Sequence, residues 1–286
     1  MAGQPSLPFE LEREIFETVA LLHPSAIPTL LRVARRVLIW VEPFLYRVVC
    51  ASSPPGGLSA KILKSPAFFD NAVHHLLLDG ARSTWSQEEA RHFLSLCKGI
   101  LNFGAIGHHS NPTLLPILAE IKVQRVALCL QVLFGEYQLI DLGHRAFHSI
   151  THLDIFDRIE HGETIICAQI PTLPCLTHLC LNYDIPWDKI QKLLTDCPRI
   201  ELLVVLWSLQ SASHGREWAN NAPIHDMRFA STTFDDYWDD WEKGARGLPN
   251  FWSVADIFVA QKRARVIDRN LYWIEDDFVQ SCQIPT

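Results

Sequence analysis

One pattern of aliphatic residues recurs along the middle of this chain and constrains its fold more than any other feature. In each copy, an aliphatic residue is followed by two more, three and five positions later. The copies are Val73/Leu76/Leu78, Val123/Val126/Leu128, Ile150/Leu153/Ile155, Leu176/Leu179/Leu181 and Ile200/Leu203/Val205. The last four begin roughly 24 to 27 residues apart, and the gap before the second is about twice as long. A weaker segment, residues 99–103, lies where a further copy is expected.

A fixed period of this length is typical of leucine-rich repeats. Each repeat contributes a short strand and a helical or irregular return, and it buries its apolar side chains only by stacking on its neighbours. We therefore predict an α/β fold, a leucine-rich-repeat-like solenoid of parallel strands over residues 61–207. Three returns have helical patterns, namely Trp85 to Cys97, Pro112 to Ile121 and Pro186 to Cys197, whereas Gly135 to His148 is less regular.

The repeat pattern also predicts which side chains face the concave surface, because side chains alternate along a strand. The middle repeats present a mixture of polar and aromatic groups there, as a recognition surface does. We predict that a target protein binds this surface. The predicted target-binding residues are His75, Asp79, Arg125, His152, Asp154, Phe156, His178 and Asn182.

The last predicted strand, Leu202 to Leu206, is apolar on both faces and must be covered. Residues 208–286 are the expected cover, a C-terminal cap. Within it, Phe234 to Trp241 alternates acidic and aromatic residues, and Phe251 to Val266 has the pattern of a helix. Two interpretations remain open: the aromatic residues close the last repeat, or Tyr237, Trp238 and Trp241 form part of a ligand pocket.

The first 50 residues form a separate helical unit. Leu11, Ile15, Val19 and Leu22 recur at helical spacing, a second helix is predicted from Ser25 to Trp40, and a short helical piece covers residues 44–48. A unit of about 45 residues buries little apolar surface by itself. We therefore expect it to dock on another part of the chain or on a partner. Residues 51–60, rich in Ser, Pro and Gly, are the predicted linker.

The N-terminal unit resembles an F-box. The resemblance rests on Leu7-Pro8-x-Glu10-Leu11 at the start, on Arg35-Arg36 and Trp40 in the middle, and on Leu45-Tyr46-Arg47 at the end. The sequence departs from the family pattern at Ala34, where a cysteine is usual, and at Trp40, which comes late. Together with the repeats, the chain resembles fungal F-box-like proteins with leucine-rich-repeat-like regions.

The resemblance implies that the unit binds a Skp-type adaptor protein and, through it, a cullin ubiquitin ligase. The chain would then be a substrate receptor whose concave face selects the target. The adaptor-binding residues carried over from the family are Leu7, Pro8, Leu11 and Ile15. In the alternative interpretation the same helices only cap the first repeat, because terminal repeats need covering.

The composition limits the classes of binding partner and the cellular compartments that we expect. A net charge of −7 and a pI near 6.0 argue against nucleic-acid binding. No apolar run approaches the roughly 18 residues of a membrane span, and the acidic N-terminal region lacks a secretion signal. Eight irregularly spaced cysteines favour free thiols in a reducing compartment. We therefore expect no membrane partner and a cytoplasmic or possible nuclear location.

No catalytic motif is present, so we expect neither an enzyme nor a cofactor. The alternative function is a small-molecule or metal-dependent site between the concave face and the C-terminal cap. Neighbouring strands would stack His152 on His178 and Asp154 on Cys180, a set that could hold zinc. His144, His148 and His152 are a weaker metal candidate, and His108-His109 is expected to be solvated.

Overall fold

A computed structural model describes residues 7–50, 64–80, 83–157, 165–182 and 185–283. In these ranges, eight strands form one open sheet in chain order, and all neighbouring strands are parallel. The strands are β1 Val48–Cys50, β2 His75–Asp79, β3 Asn102–Ile106, β4 Arg125–Leu128, β5 His152–Ile155, β6 His178–Asn182, β7 Leu202–Ser208 and β8 Phe229–Phe234. The predicted α/β class with parallel neighbouring strands is confirmed.

The aliphatic pattern aligns the strands because its residues share one face of the sheet. Leu153 pairs with Leu179 across β5 and β6, and Leu179 pairs with Leu203 across β6 and β7. The weaker segment becomes β3, in which Phe103 continues the same row. These side chains are buried in one continuous core. The hydrophobic effect therefore selects this register, because a shift of one residue would turn every aliphatic side chain to the other face.

Short helices cover this face of the sheet, which we call the helical face. Ser86 caps the helix Gln87–Leu96 through a reciprocal pair of hydrogen bonds with Glu89. The predicted helix Pro112 to Ile121 is interrupted, because Pro116 has no N–H to donate to the carbonyl of Pro112. The α-helices packed here are Pro66–Ala72, Gln87–Leu96, Leu115–Leu118, Leu130–Phe134, Trp187–Asp196 and Ala212–Asn220, with 3-10 turns between several of them.

C-terminal helices cover the opposite face, which we call the capped face. The helices Tyr237–Ala245 and Phe251–Arg263 pack on alternate strand residues, among them Leu202, Val204 and Leu206 of β7. A further helix, Asp276–Gln283, follows. The chain after residue 207 therefore covers the apolar last strand, as expected from its pattern.

The cover extends further than the sequence predicted. Before the helix Tyr237–Ala245 begins, the chain adds β8 beside β7, a strand that the aliphatic pattern does not mark. The helix Tyr237–Ala245 then reaches back across the sheet to β3. A Cβ atom built on Gly104 would lie 3.4 Å from Trp238 and 3.6 Å from Trp241.

The N-terminal helices form a small core of their own. It comprises Ala20, Ile27, Val37, Trp40 and Val41 between the helices Phe9–Leu22, Ile27–Leu30 and Arg35–Val41.

Two predictions for the N-terminal unit were wrong. The single helix from Ser25 to Trp40 is broken at Ala34, whose backbone is extended with φ −162° and ψ 156°. The last helical piece is instead a 3-10 helix, Glu42–Tyr46, followed by β1, so the end of this unit joins the sheet. The predicted linker, residues 51–60, lies outside the described residues.

No helix in the described parts of the chain is long and apolar enough to cross a lipid bilayer.

Candidate functional site

The amino ends of the strands place a row of polar side chains across the capped face. His75 pairs with Asn102, Asn102 with Arg125, Arg125 with His152, and His152 with His178. The row follows from the register, because each of these residues stands one position before an apolar residue of the core. Parallel pairing therefore brings together polar groups that lie far apart in the sequence.

His152 and His178 stack face to face, with ring centroids 4.0 Å apart and an angle of 7° between the rings. Each ring is held by the threonine before it, since Thr151 Oγ1 lies 2.9 Å from His152 Nδ1 and Thr177 Oγ1 lies 2.7 Å from His178 Nδ1. The repeated Thr-His dipeptide thus orients the imidazoles. Trp252 of the cap packs edge-on against both rings.

This stack links the sheet to the cap and lacks the geometry of a metal centre. His178 Nε2 lies 3.0 Å from Asp256 Oδ1 on the helix Phe251–Arg263. Burial lowers the pKa of His152 to about 2, with smaller effects from His178 and Arg125. The predicted stacking of His152 on His178 is confirmed, but within the described ranges no three His, Cys, Asp or Glu side chains form a group that could hold a metal.

The weaker histidine candidates are also separated. His144 caps a 3-10 turn by accepting from the Ala146 N–H, and His148 Nε2 pairs with the Gly143 carbonyl. Neither converges with His152, which stands on β5. His109, expected to be solvated, is buried, and neither of its ring nitrogens has a hydrogen-bond partner in the described part of the chain.

Asp154 lies beneath the cap. Its carboxylate accepts a hydrogen bond from Tyr237 Oη on the helix Tyr237–Ala245. Burial raises its pKa to about 7, although the hydrogen bonds from Tyr237 and Trp252 favour the ionised form. Cys180 pairs with Asp154 across the strands and is fully buried, so burial raises the pKa of its thiol well above the usual value. This buried network fastens the cap to the sheet.

The cap changes the exposure of the predicted target-binding residues. Asp79, Asp154, His178 and Asn182 are buried, His75, His152 and Phe156 are half-buried, and Arg125 is exposed. Their role in target binding stays a prediction, but the buried four offer no direct contact to a protein partner. For Asp154 and His178 the physical reason is that the cap extends back over β5 and β6 and is not confined to the last strand.

An open groove remains at the amino end of the sheet. It has a volume of about 530 Å³ and lies between the N-terminal helices, the starts of β1 to β4 and the turn Gly244 to Gly247. Its polar lining includes the guanidinium-bearing side chains of Arg47, Arg125 and Arg246, with His75 and Asn102. The groove is thus basic, although the whole chain carries a net charge of −7.

The three arginines differ in whether a carboxylate neutralises their charge, and together they lower the pKa of His75. Burial lowers the pKa of His75 to about 4, and Arg47, Arg125 and Arg246 lower it further by charge repulsion, as does His74. Arg246 is paired with Glu242, whose Oε1 lies 2.6 Å from Nη2. Arg47 and Arg125 take part in none of the ion pairs formed among the described residues. Two positive charges in the groove are therefore available to a ligand.

A small recess of about 20 Å³ lies under the cap and shares Asn102, Arg125 and Gly244 with the groove. Trp241 lines this recess and is 5% exposed. Its indole Nε1 has no hydrogen-bond partner in the described ranges. A Cβ atom built on Gly104 would lie 3.6 Å from this nitrogen, so the N–H donor lies close to β3, and a buried donor without an acceptor is costly.

The predicted adaptor-facing residues lie together on the outside of the N-terminal unit. Leu7, Leu11 and Ile15 are 50%, 47% and 52% exposed, and Pro8 is exposed beside them. The spacing of four residues places Leu11 and Ile15 on one side of the helix Phe9–Leu22, and Leu7 lies just before the helix begins. The structure therefore brings these residues together on an uncovered apolar surface.

Sequence reasoning missed several residues of the groove and its recess. Arg47 entered only through the F-box resemblance, Asn102 only as part of the weak segment 99–103, and Arg246 carried no motif. Trp241 was named beforehand, in the interpretation that gives the cap a ligand pocket. The alignment of β3 with its neighbours could have placed Asn102 in the polar row. Nothing in the sequence places the turn Gly244 to Gly247 over the start of the sheet.

Comparison with protein-family models finds no match, and comparison with curated proteins finds no significant match.

Proposed function

We propose that this chain is a protein-interaction module, a substrate receptor that joins a target protein to a Skp/cullin-type ubiquitin ligase. The N-terminal helices bind the adaptor, and the open part of the capped face binds the target. The F-box resemblance suggests the identity of the adaptor. No reactive constellation is needed for this role, because the ligase supplies the chemistry.

The observation that carries the proposal is the exposed apolar stripe of Leu7, Leu11 and Ile15. A unit that served only as a cap would turn its apolar side chains toward the sheet. Here the inward side chains already pack around Trp40, and the stripe faces away from that core. An amphipathic helix with an exposed apolar stripe is suited to helix packing against a partner.

The test is co-expression of the full chain with a Skp-type adaptor, followed by copurification. The double variant Leu7→Asp/Leu11→Asp is expected to lose the adaptor, because two carboxylates would be buried in an apolar interface. Circular dichroism should remain that of the parent chain, since both positions are exposed. The matched control is Leu139→Asp/Leu209→Asp, which changes two exposed leucines outside the unit and should keep the adaptor.

Retained adaptor binding in the Leu7→Asp/Leu11→Asp variant would refute the proposed interface. Failure of the parent chain to copurify with the adaptor would refute the proposed function. In that case the N-terminal helices act only as a cover for the first strands.

A further inference from the structure

The lining of the open groove indicates the chemistry of the ligand that it can bind. The groove at the amino end of the sheet combines Arg47, Arg125 and Arg246 with His75. These side chains come from separate elements, since Arg47 precedes β1, Arg125 begins β4 and Arg246 follows the helix Tyr237–Ala245. Arg246 is paired with Glu242, so tertiary folding leaves the two like charges of Arg47 and Arg125 in one groove, an arrangement that costs free energy in the absence of an anion.

The inner end of the groove adds a neutral donor. Trp241, whose Nε1 is buried without a partner among the described residues, lines a recess that shares Asn102 and Arg125 with the groove. The recess has the volume of about one water-sized group, at roughly 20 Å³. It is too small for more than a single oxygen atom or water, so a larger ligand would lie in the outer groove.

We propose that this groove binds the phosphate monoester group of a ligand. Arginine guanidinium groups pair with phosphate through two parallel N–H···O bonds, and a dianion matches the two unpaired arginines. A single carboxylate would leave one of those charges uncompensated. The groove of about 530 Å³ is larger than one phosphate group, so the rest of the ligand lies along its apolar wall of Leu21, Ile27 and Phe44.

Only the identification of the ligand as part of the target protein rests on the proposed function. If the ligand is a phosphorylated segment of the target, phosphorylation decides which proteins this receptor takes. A small phosphorylated molecule would use the same contacts. The experiment uses the full chain without adaptor, so its result is independent of adaptor copurification.

The experiment is calorimetric titration of the full chain with inorganic phosphate, with a short phosphoserine peptide, and with the same peptide carrying serine or aspartate instead. We expect phosphate and the phosphoserine peptide to bind. The double variant Arg47→Gln/Arg125→Gln should weaken this binding by at least about tenfold, because both unpaired charges are lost. Trp241→Phe, which keeps an aromatic ring and removes the N–H, should weaken it by about threefold.

The matched control is Arg91→Gln, an exposed arginine on the helix Gln87–Leu96 of the helical face. It should bind phosphate like the parent chain. Tighter binding of the phosphoserine peptide than of inorganic phosphate supports a protein ligand, and equal binding supports a small phosphorylated molecule. Equal binding of the aspartate or serine peptide, no binding of any phosphate probe, or unchanged binding in Arg47→Gln/Arg125→Gln would overturn the proposal.

Discussion

The N-terminal unit and the sheet contain similar aliphatic residues in opposite surroundings. Leu11 and Ile15 are about half exposed on their helix, whereas Leu153 and Leu179 are fully buried between the strands and the helical face. The sheet buries its apolar side chains by repetition, since equivalent residues of neighbouring strands pack side by side in one core. The N-terminal unit buries a small core and leaves a stripe uncovered. The difference separates a scaffold that buries its own apolar side chains from a surface that, under the proposed function, binds the adaptor.

The largest expected effect tests this comparison directly. Leu153→Ala should lower the free energy of unfolding by about 3 kcal/mol, because it leaves a cavity in a close-packed core. Leu11→Ala should change it by less than about 0.5 kcal/mol, because the side chain is already half in water. Urea denaturation of the two variants measures both values. Equal losses would show that Leu11 is as much a part of the folded core as Leu153.

A second effect concerns the buried cation of the cap. Lys262 is 0% exposed, its Nζ donates to the Phe229 carbonyl at 2.7 Å, and it lies over the rings of Phe258 and Tyr272. Burial lowers its pKa to about 7 from the ordinary value of 10.5. Below pH 7 the folded chain carries the full cost of a buried charge. Between pH 7 and 10.5 the folded state releases a proton that the unfolded state keeps, so stability rises with pH.

Between pH 7 and 10.5, the free energy of unfolding rises by at most about 1.4 kcal/mol for each pH unit. Lys262→Met should flatten this rise, and urea titrations at pH 7, 8 and 9 measure the slope. Lys122→Met, at an exposed lysine, serves as control and should keep the parent slope. An unchanged slope in Lys262→Met would mean that Lys262 is not the source of the pH dependence.

A smaller effect probes where the cap meets the sheet. Gly104 lies under the cap, and a Cβ atom there would approach Leu77 Cδ1 to 2.8 Å and Trp238 to 3.4 Å. Gly104→Val should lower stability by about 1–3 kcal/mol through overpacking. Gly104→Ala should cost less, because the end of the leucine side chain can move. Thermal unfolding ranks the three chains, and a valine variant as stable as the parent would contradict close packing of the cap on β3.

Much of the sheet could be predicted because the aliphatic pattern that marks its strands is local and repeated. The aliphatic spacing marks six of the strands, including the weak copy that becomes β3, and the register follows from burial of equivalent residues. β1 and β8 could not be found this way. β1 is three residues long, and β8 carries Ser231, Thr232 and Thr233 where an aliphatic pattern would be expected.

The candidate site was predicted in part. His75 and Arg125 were identified from alternation along the strands, and they do line the open groove. Asp154 and His178 were identified by the same rule but lie beneath the cap. Alternation gives the face to which a side chain points, and it carries no information about what covers that face.

The sequence by itself determined the six parallel strands β2 to β7, their order and the face that each of their residues occupies, because these depend on a short repeating pattern and on burial. Only the tertiary structure decided how far the C-terminal helices extend over the capped face, and that Arg47, Arg125 and Arg246 share one groove. Those features depend on contacts between segments up to about 200 residues apart, and no local propensity encodes them.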